Sequence, residues 1–384
     1  MPLSKQFLDA MNDEIRSLFP ALKHYAYLNS ASVSPMPTTA IEAINGQLLD
    51  VATHGSLHYL DWVATKERCR NLIAEMLHVR PEQIAFTRNT SDGFATIANG
   101  IDWKAGDNIV SFAQEFPSNY YPWRRIRDDH GVELRLCPER DARIDLDELI
   151  SMIDSNTKVV ALSSVQYGSG FRSDLEKVGR AARAVDALFC VDIIQGFGQL
   201  PYDLPAEYVD AASCASHKWL CAPEGCGFLY LSDRARERVN PTLVGWISVE
   251  TPWDFADKEQ PFKPNALAWE SGTFNSSLLY GLEQSLNLLH ETGAQRIESH
   301  LANLTDQLCD SLAGRDYGVV SSRAPGERSA IVCIRGTNGL DANAIAARLE
   351  EANVIVAPRE GRVRISPHFY NNSEDIDRLL EALP

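Results

Sequence analysis

Short β-rich apolar runs alternate along most of the chain with longer segments whose apolar residues recur at helical spacing. The short runs predict strands at Ile84–Thr87, Asn108–Ser111, Val132–Leu136, Val159–Ser163, Leu188–Asp192, Ala211–Ala215 and Gly227–Leu231. The periodic segments predict helices, among them Thr38–Ala52, Trp62–Leu77 and Asp174–Ala184. Strands separated by helices indicate βαβ units, so we expect an α/β fold with a mostly parallel central sheet flanked by helices.

The pattern changes after about Gly281. Helices are predicted at Leu278–Glu291, Ala294–Leu312, Asp341–Glu351 and from Ser373 onward, and apolar strands at Ala330–Arg335, Val354–Ala357 and Val363–Ser366. We therefore predict a large domain over residues 21–285 and a small α+β C-terminal domain over residues 286–384. The N-terminal segment, residues 1–20, is acidic and helix-like, and we expect it to pack with the small domain.

Composition narrows the class of protein. A chain of 384 residues has material for a large core and two domains. Its formal net charge of -16 argues against nonspecific binding to nucleic acid or to an anionic membrane. No apolar run approaches the roughly 20 residues of a membrane span, and the N-terminus does not resemble a signal peptide. The eight cysteines are scattered and lack metal-ligand spacing, so we expect reduced thiols, no metal and a cytoplasmic location.

Lys218 is the most informative residue for chemistry. It lies among small residues in Ala211–Gly227 and is followed by a Pro/Gly-rich turn. Asp192 ends an apolar run upstream of it. A lysine on a tight loop, together with an acid at the end of a buried strand, suits a pyridoxal phosphate (PLP) site. The lysine would form a Schiff base, and the acid would keep the pyridinium nitrogen protonated.

Other residues could complete such a site, although each also has a structural explanation. Thr90 or Ser91 could cap a helix after the strand Ile84–Thr87, and a helix N-terminus is a ready anion site. Phe116 could stack on a planar cofactor or be a core aromatic. Gln195 could donate to the ring oxygen or be solvated. His217, beside Lys218, could contact the phosphate, assist proton transfer or make a structural hydrogen bond.

The α-carboxylate of an amino acid needs a bidentate cation, which arginine supplies. Arg362 and Arg364 alternate with apolar residues and therefore point to one face of a strand, while Arg359 lies on the preceding turn. Surface arginines on an edge strand are the alternative interpretation.

In this order and spacing, the motifs resemble class V aminotransferase-fold enzymes of PLP fold type I, in the branch similar to cysteine desulfurases and isopenicillin N epimerase. The resemblance runs from Tyr27-Leu-Asn-Ser-Ala-Ser to Arg364-Ile-Ser-Pro-His-Phe-Tyr-Asn. It implies Lys218, Asp192 and His217 as catalytic residues and PLP as the cofactor. Further residues implied to bind PLP are Thr90, Ser91, Phe116, Gln166, Gln195, Ser213, Ser216 and Thr273.

The resemblance also implies an amino-acid substrate held by Asn29, Ala31, Ser32, Arg359 and Arg364. Enzymes of this family are homodimers with shared active sites, in which the position of Thr273 reaches the phosphate of the neighbouring subunit. A homodimer is therefore expected. We expect no nucleic acid and no membrane among the partners.

Departures from the family pattern guide the choice of reaction. Cysteine desulfurases carry a nucleophilic cysteine on a mobile loop before the carboxylate-binding arginine, but Val354–Ser366 contains no cysteine. Cys333 lies in an apolar strand and is interpreted as core. Ala215 replaces the usual Ser before the lysine, and Gln166 replaces the usual Asn near the ring oxygen.

We therefore favour β-elimination from a sulfur-containing amino acid. Transamination and epimerisation stay open, and a persulfide-forming desulfurase or a non-catalytic binding module is disfavoured. Large aromatic residues could shape the specificity pocket or belong to the core: Tyr59, Trp62, Trp123, Trp246 and Trp253.

Overall fold

The structure is a computed structural model that describes residues 13–337 and 339–384. Its strands in chain order are β1 Ala26–Tyr27, β2 Ile84–Thr87, β3 Asn108–Phe112, β4 Glu133–Cys137, β5 Glu139–Arg140, β6 Arg143–Ile144, β7 Thr157–Ser163, β8 Leu188–Asp192, β9 Ala211–Ala215, β10 Gly227–Leu231, β11 Tyr317–Val319, β12 Val332–Gly336, β13 Val354–Ile355, β14 Ala357–Arg359 and β15 Arg362–Ile365.

The helices are α1 Thr38–His54, α2 Tyr59–Met76, α3 Thr90–Gly100, α4 Tyr121–His130, α5 Leu146–Ser151, α6 Leu175–Ala184, α7 Asp233–Arg236, α8 Ser276–Thr292, α9 Ala294–Leu312, α10 Ala342–Glu351 and α11 Ser373–Ala382. Residues 13–17 are also helical. Two predicted helices begin one residue later than expected, because Asp174 and Asp341 are N-caps whose carboxylates accept backbone N–H groups of the first turn.

A seven-stranded sheet in the order β2-β10-β9-β8-β7-β3-β4 forms the centre of the molecule. Strand β10 is antiparallel to both of its neighbours, whereas β9, β8, β7, β3 and β4 are mutually parallel. Alternate residues of a strand enter different clusters of the core: on β8, Phe189 and Val191 pack in one and Leu188 and Cys190 in the other. Both faces are therefore covered, and the strands lack hydrophobic–polar alternation.

A smaller antiparallel sheet, in the order β11-β12-β15-β14, follows toward the C-terminus. Helices α9, α10 and α11 pack on it around a separate apolar cluster. The N-terminal region joins this part of the molecule, because β1 pairs with β13 and the Arg16 guanidinium donates to the Asp375 carboxylate at 2.6 Å. Residues 1–12 of the expected N-terminal helix lie outside the described residues, and the domain boundaries stay a prediction.

The predicted fold class is confirmed: a mostly parallel sheet flanked by helices is followed by a small α+β unit. One predicted strand is divided, since Val356 separates β13, which pairs with β1, from β14, which pairs with β15. The search for membrane spans over the described residues found no helix with the length and apolar character to cross a bilayer.

Candidate active site

The carboxyl ends of β7, β8 and β9 lie side by side, with Ser163 opposite Asp192 and Asp192 opposite Ser213. In parallel sheets ligands bind at this edge. A cavity of about 250 Å³ opens there. It brings together eleven of the residues that the sequence analysis selected: Ala31, Ser32, Thr90, Ser91, Phe116, Asp192, Gln195, His217, Lys218, Arg359 and Arg364.

Lys218 follows β9 and is almost buried, with 8% of its surface exposed. Burial lowers the pKa of its amine to about 8, since the nearby Asp192 carboxylate only partly offsets the desolvation and Arg364 opposes the charge. Its Nζ lies 5.2 Å from the centroid of the Phe116 ring. Within the described chain Lys218 makes no ion pair, so its amine is available for chemistry in the cavity.

Asp192 ends β8 and is fully buried, which raises the pKa of its carboxyl group to about 6. Its Oδ1 accepts the backbone N–H of Ile194 at 2.9 Å. This hydrogen bond fixes the carboxylate at the carboxyl end of β8, where it lines the same cavity as Lys218. The half-buried His217 lies beside them, and burial together with the Lys218 charge lowers the pKa of its imidazole.

A second buried carboxyl group, Glu115, lies behind Asp192 and was missed by the sequence analysis. It accepts hydrogen bonds from the Ser163 N–H at 2.6 Å, the Ser163 hydroxyl at 2.5 Å and the Gln166 amide at 3.0 Å. Burial raises the pKa of Glu115 to about 7, and the Asp192 charge acts in the same direction. The position directly before Phe116 was the only signal in the sequence.

The polar turn after β2 does not have the cap that we expected. Asn89 is the N-cap of α3, and its Oδ1 accepts the Asp92 N–H at 2.9 Å; neither Thr90 nor Ser91 serves in this role. Because Thr90 does not cap the helix, its hydroxyl is not used there, and its buried Oγ1 has no hydrogen-bond partner within the described residues. Ser91 donates its hydroxyl proton to the Ser118 hydroxyl at 2.7 Å, another cavity residue.

Two glutamines expected near the cofactor ring are bound by protein groups. Gln195 donates to the carbonyl of Ala31 at 3.0 Å and accepts the Trp219 indole N–H at 2.9 Å. Gln166 lies outside the cavity lining and donates to Glu115. Direct contacts of either amide with a cofactor stay predictions.

Four further candidates lie away from the cavity. Ser213 donates to the Thr90 carbonyl at 3.2 Å. Ser216 donates to the carbonyls of Pro223 and Cys226. Asn29 bridges the backbone of Ser366, and Thr273 lines a second cavity. The proposed cofactor or substrate roles of these side chains stay predictions.

The second cavity, of about 180 Å³, lies against α2. Aromatic residues named in the sequence analysis line it, namely Tyr59, Trp62, Trp246 and Trp253. Trp123, in contrast, is fully buried in the core and donates its indole N–H to Asn119 at 2.9 Å.

The arginines of the small sheet separate into two kinds. Arg364 is buried and donates to the Tyr167 carbonyl at 2.9 Å and to the Ser32 hydroxyl at 2.6 Å. Arg359 also donates to the Ser32 hydroxyl, at 3.3 Å. Arg362 pairs with Glu139 at 3.0 Å and does not line the cavity. The expected substrate arginines thus converge on Ser32.

The model of the aminotransferase class-V family matches residues 26–379. The chain belongs to the class-V aminotransferase family. It is 27% identical to a probable cysteine desulfurase of Methanothermobacter thermautotrophicus, over 97% of both chains. Its fold is shared by the cysteine desulfurase of Thermococcus onnurineus NA1, with a TM-score of 0.88, 24% identity and 96% coverage of each chain.

The fold is also shared by the cystine C–S lyase C-DES, with a TM-score of 0.87, 24% identity, and coverage of 94% of this chain and 98% of that one. Another C-DES structure has glycine covalently linked to its PLP cofactor. The predicted family, enzyme class and cofactor are confirmed: the protein is a PLP-dependent class-V enzyme, similar to probable cysteine desulfurases.

The side chains of this class-V site fit PLP. The unpartnered Thr90 hydroxyl lies at the N-terminus of α3, where free N–H groups favour a phosphate. The buried Asp192 carboxylate suits a ring nitrogen that must stay protonated, and Lys218 suits the aldehyde. These residues, with Phe116 and His217, are the ones that would hold the cofactor.

All eight cysteines lie in the described part of the chain, and none lines this cavity. Cys333 is fully buried, and its Sγ donates to the Gly168 carbonyl at 3.2 Å. Burial raises the pKa of this thiol to about 11, so it stays protonated at neutral pH. The interpretation of Cys333 as a core residue agrees with this burial.

The segment before Arg364 is a tight hairpin. Strands β14 and β15 are joined by Glu360 and Gly361, which have positive φ of 50° and 72°. Two-residue hairpin turns require such backbone conformations.

Outside the cavity, the described residues include Asp50, His54 and His58, whose candidate metal-binding atoms lie within 4.8 Å of one another. Both imidazoles already bond to Asp50 Oδ1, at 2.9 Å and 2.7 Å. These contacts join the end of α1 to the start of α2, and the expectation that the enzyme uses no metal stays a prediction.

Proposed function

We propose that this enzyme catalyses β-elimination from a sulfur-containing amino acid. The observation that carries the proposal is a PLP cavity with lysine, aspartate and arginine in place and no thiol in its lining. Relatives named as probable cysteine desulfurases point to sulfur-containing amino acids. A persulfide-forming desulfurase needs a thiolate to receive the sulfur, and β-elimination does not.

When bound, PLP draws electrons from the bonds at the substrate Cα. Lys218 is the base for the Cα proton, because burial lowers the pKa of its amine to about 8 and so populates the neutral form that accepts a proton. The C–H electron pair forms a Cα=Cβ bond as the Cβ–S bond breaks and the thiolate leaves. Hydrolysis of the resulting enamine by one water yields pyruvate and ammonia.

Arg364 orients the substrate for this step. Its buried guanidinium has the fork geometry that holds an α-carboxylate. Because Arg364 lies on β15, hydrogen-bonded between β12 and β14, its backbone is fixed within the small sheet. A rigid anchor keeps the Cα–H bond near the lysine amine.

The test follows three products from the purified holoenzyme with a panel of S-substituted cysteines. Pyruvate and ammonia in equal amounts support elimination. Conversion of the cofactor band to a pyridoxamine spectrum would show half-transamination instead. Deuterium entry at Cα from solvent without net consumption would show epimerisation, and either result in place of pyruvate would overturn the proposal.

We further infer that the enzyme works as a homodimer with shared sites. Large apolar side chains are exposed on the last part of α1, the following turn and the start of α2, namely Leu49, Leu57 and Leu60 at 66%, 75% and 81%. Trp253 and Phe255, near the Thr273 cavity, are 60% and 61% exposed. Apolar surface of this extent is typical of protein–protein interfaces, and a second copy would cover it.

A further inference from the structure

Two arginines share the active-site cavity without an acidic partner. Taking an amino-acid substrate, as the proposed function does, we propose that the substrate carries a second anionic group on its side chain. Arg364 holds the α-carboxylate, and Arg359 binds the second anion. The enzyme is then selective for amino acids whose sulfur substituent ends in a carboxylate or a similar oxyanion.

The lack of a partner is unusual in this protein. Acidic residues outnumber basic ones by 52 to 36, and most arginines of the fold pair with carboxylates. Arg362, between the two cavity arginines in sequence, pairs with Glu139. Among the described residues, neither Arg359 nor Arg364 has an ion-pair partner. The adjacent carboxylate of Glu360 instead accepts the Tyr167 hydroxyl proton at 2.8 Å.

The two guanidinium groups converge on a single neutral acceptor. Both donate to the Ser32 hydroxyl, at 2.6 Å from Arg364 and 3.3 Å from Arg359. The buried Nε of Arg364 has no hydrogen-bond partner in the part of the chain that the structure describes. Like charges this close repel, and a buried unpaired donor costs free energy.

Electrostatics show the strain on the pair. Burial, together with the smaller effect of the Arg359 charge, lowers the pKa of Arg364 to about 10. Lys218 adds another potential cation to the cavity, and Asp192 is the carboxylate that lines it. A monoanionic carboxylate would neutralise one arginine, whereas two anionic groups would neutralise both.

The depths of the two arginines assign their roles. Arg364 is 2% exposed, and its Cα lies opposite Cys333 in the middle of the small sheet. Arg359 is half-buried at the end of β14, beside the hairpin turn. The α-carboxylate belongs near Cα and therefore near the deeper arginine. The substituent on sulfur extends toward the opening, where Arg359 lies.

The test uses two substrates of the same shape, S-carboxymethyl-L-cysteine and S-carbamoylmethyl-L-cysteine. The first ends in a carboxylate and the second in a neutral amide. We expect Arg359→Gln to lower kcat/KM for the carboxymethyl substrate by roughly tenfold or more and to leave the carbamoylmethyl substrate within about twofold. Arg359→Lys, which keeps the positive charge, should retain part of the preference for the carboxymethyl substrate. Arg362→Gln is the matched control and should change neither value, because its guanidinium is outside the cavity.

An equal loss for both substrates would overturn the proposal, because Arg359 would then share the α-carboxylate or support the fold. If Arg359→Gln changes kcat/KM for neither substrate, the proposal is overturned as well. Binding is measured separately, from the cofactor absorbance on adding each compound. If neither compound yields pyruvate, binding alone decides. A charge preference in binding that Arg359→Gln abolishes supports the second anion site, and the lack of such a preference overturns it.

Discussion

Lys218 lies buried among Asp192, Arg359 and Arg364, and that position determines its protonation. An ordinary lysine amine is protonated at neutral pH and cannot add to an aldehyde. Here burial lowers its pKa to about 8, and the Arg364 charge opposes protonation. The neutral amine is therefore populated near neutral pH, before any cofactor binds.

This protonation predicts how the cofactor-free enzyme takes up PLP. The rate of covalent attachment should rise with pH through about 8 and level off above it, because the neutral amine is the reactive form. Stopped-flow absorbance of the cofactor band measures the rate. Lys218→Ala should give no covalent band, whereas the surface variant Lys177→Ala should behave as wild type. A rate that keeps rising toward the pKa of a solvated lysine would contradict the prediction.

Glu115 predicts a pH dependence of stability. Because its pKa is raised to about 7, the folded protein keeps a proton that the unfolded chain releases at lower pH. Protonation therefore stabilises the fold at acidic pH, and this contribution is lost as pH rises from the unfolded carboxyl pKa to about 7. The decrease in the free energy of unfolding as pH rises should be smaller in Glu115→Gln, because glutamine cannot ionise. Urea unfolding of the cofactor-free proteins at several pH values measures this free energy. If it falls with pH equally in wild type and Glu115→Gln, the pH dependence does not come from Glu115.

At the scale of elements, helix α3 lies close against the sheet where Gly93 faces β9. A Cβ at Gly93 would lie 2.2 Å from Ser213 Oγ and 2.8 Å from its Cβ. This close approach positions the N-terminus of α3, with the Thr90 hydroxyl, at the cavity. Gly46, in contrast, is exposed on α1, and a Cβ added there would have no atom of the described residues within 4 Å outside its own stretch of helix.

The two glycines form a matched pair for mutation. Gly93→Ala should destabilise the fold by about 1–3 kcal/mol through overpacking against Ser213. Gly46→Ala should stabilise it by up to about 1 kcal/mol, because alanine is the better helix former. Thermal unfolding followed by circular dichroism compares them. If Gly93→Ala unfolds at the wild-type temperature or above, α3 does not pack as described.

The sequence predicts the bounds of buried strands better than it predicts helix caps, and the reasons are physical. Strands such as Leu188–Asp192 and Ala211–Ala215 agree in both bounds, because buried strands are short, mostly apolar runs. The predicted N-cap of α3 was wrong, because Asn, Thr and Ser are consecutive there and any of them can serve as an N-cap.

The sequence selects candidate site residues where residue types are distinctive and misses those that only the fold brings together. Lys218 and Asp192 follow from their chemistry and from their positions after or at the ends of buried strands, and Arg364 follows from its alternation with apolar residues. Glu115 becomes visible only when the fold brings it to Ser163 and Gln166, which are distant in sequence. The shared use of Ser32 by Arg359 and Arg364 likewise needs the fold, since it joins the two ends of the chain.

At the scale of the whole molecule, the inferred dimer predicts complementation between inactive variants. If Thr273 of one subunit serves the site that contains the other subunit's Lys218, a mixed dimer of Lys218→Ala and Thr273→Ala chains has one site with both native residues. Refolding the two variants together should therefore restore activity that neither has alone. Light scattering measures the oligomeric state, and a monomer, or mixtures without recovery, would contradict shared sites.

The central claim is that sulfur leaves by elimination, without a thiol of the protein. Elimination leaves pyruvate, whereas transfer of sulfur to a protein cysteine leaves the substrate carbon skeleton as alanine. The most direct measurement is therefore the ratio of pyruvate to alanine formed from S-substituted cysteines, cystine and cysteine, for the wild-type enzyme and for Cys333→Ser. We expect pyruvate in large excess and the same rate in both proteins. Alanine as the main product, lost in Cys333→Ser, would contradict the account.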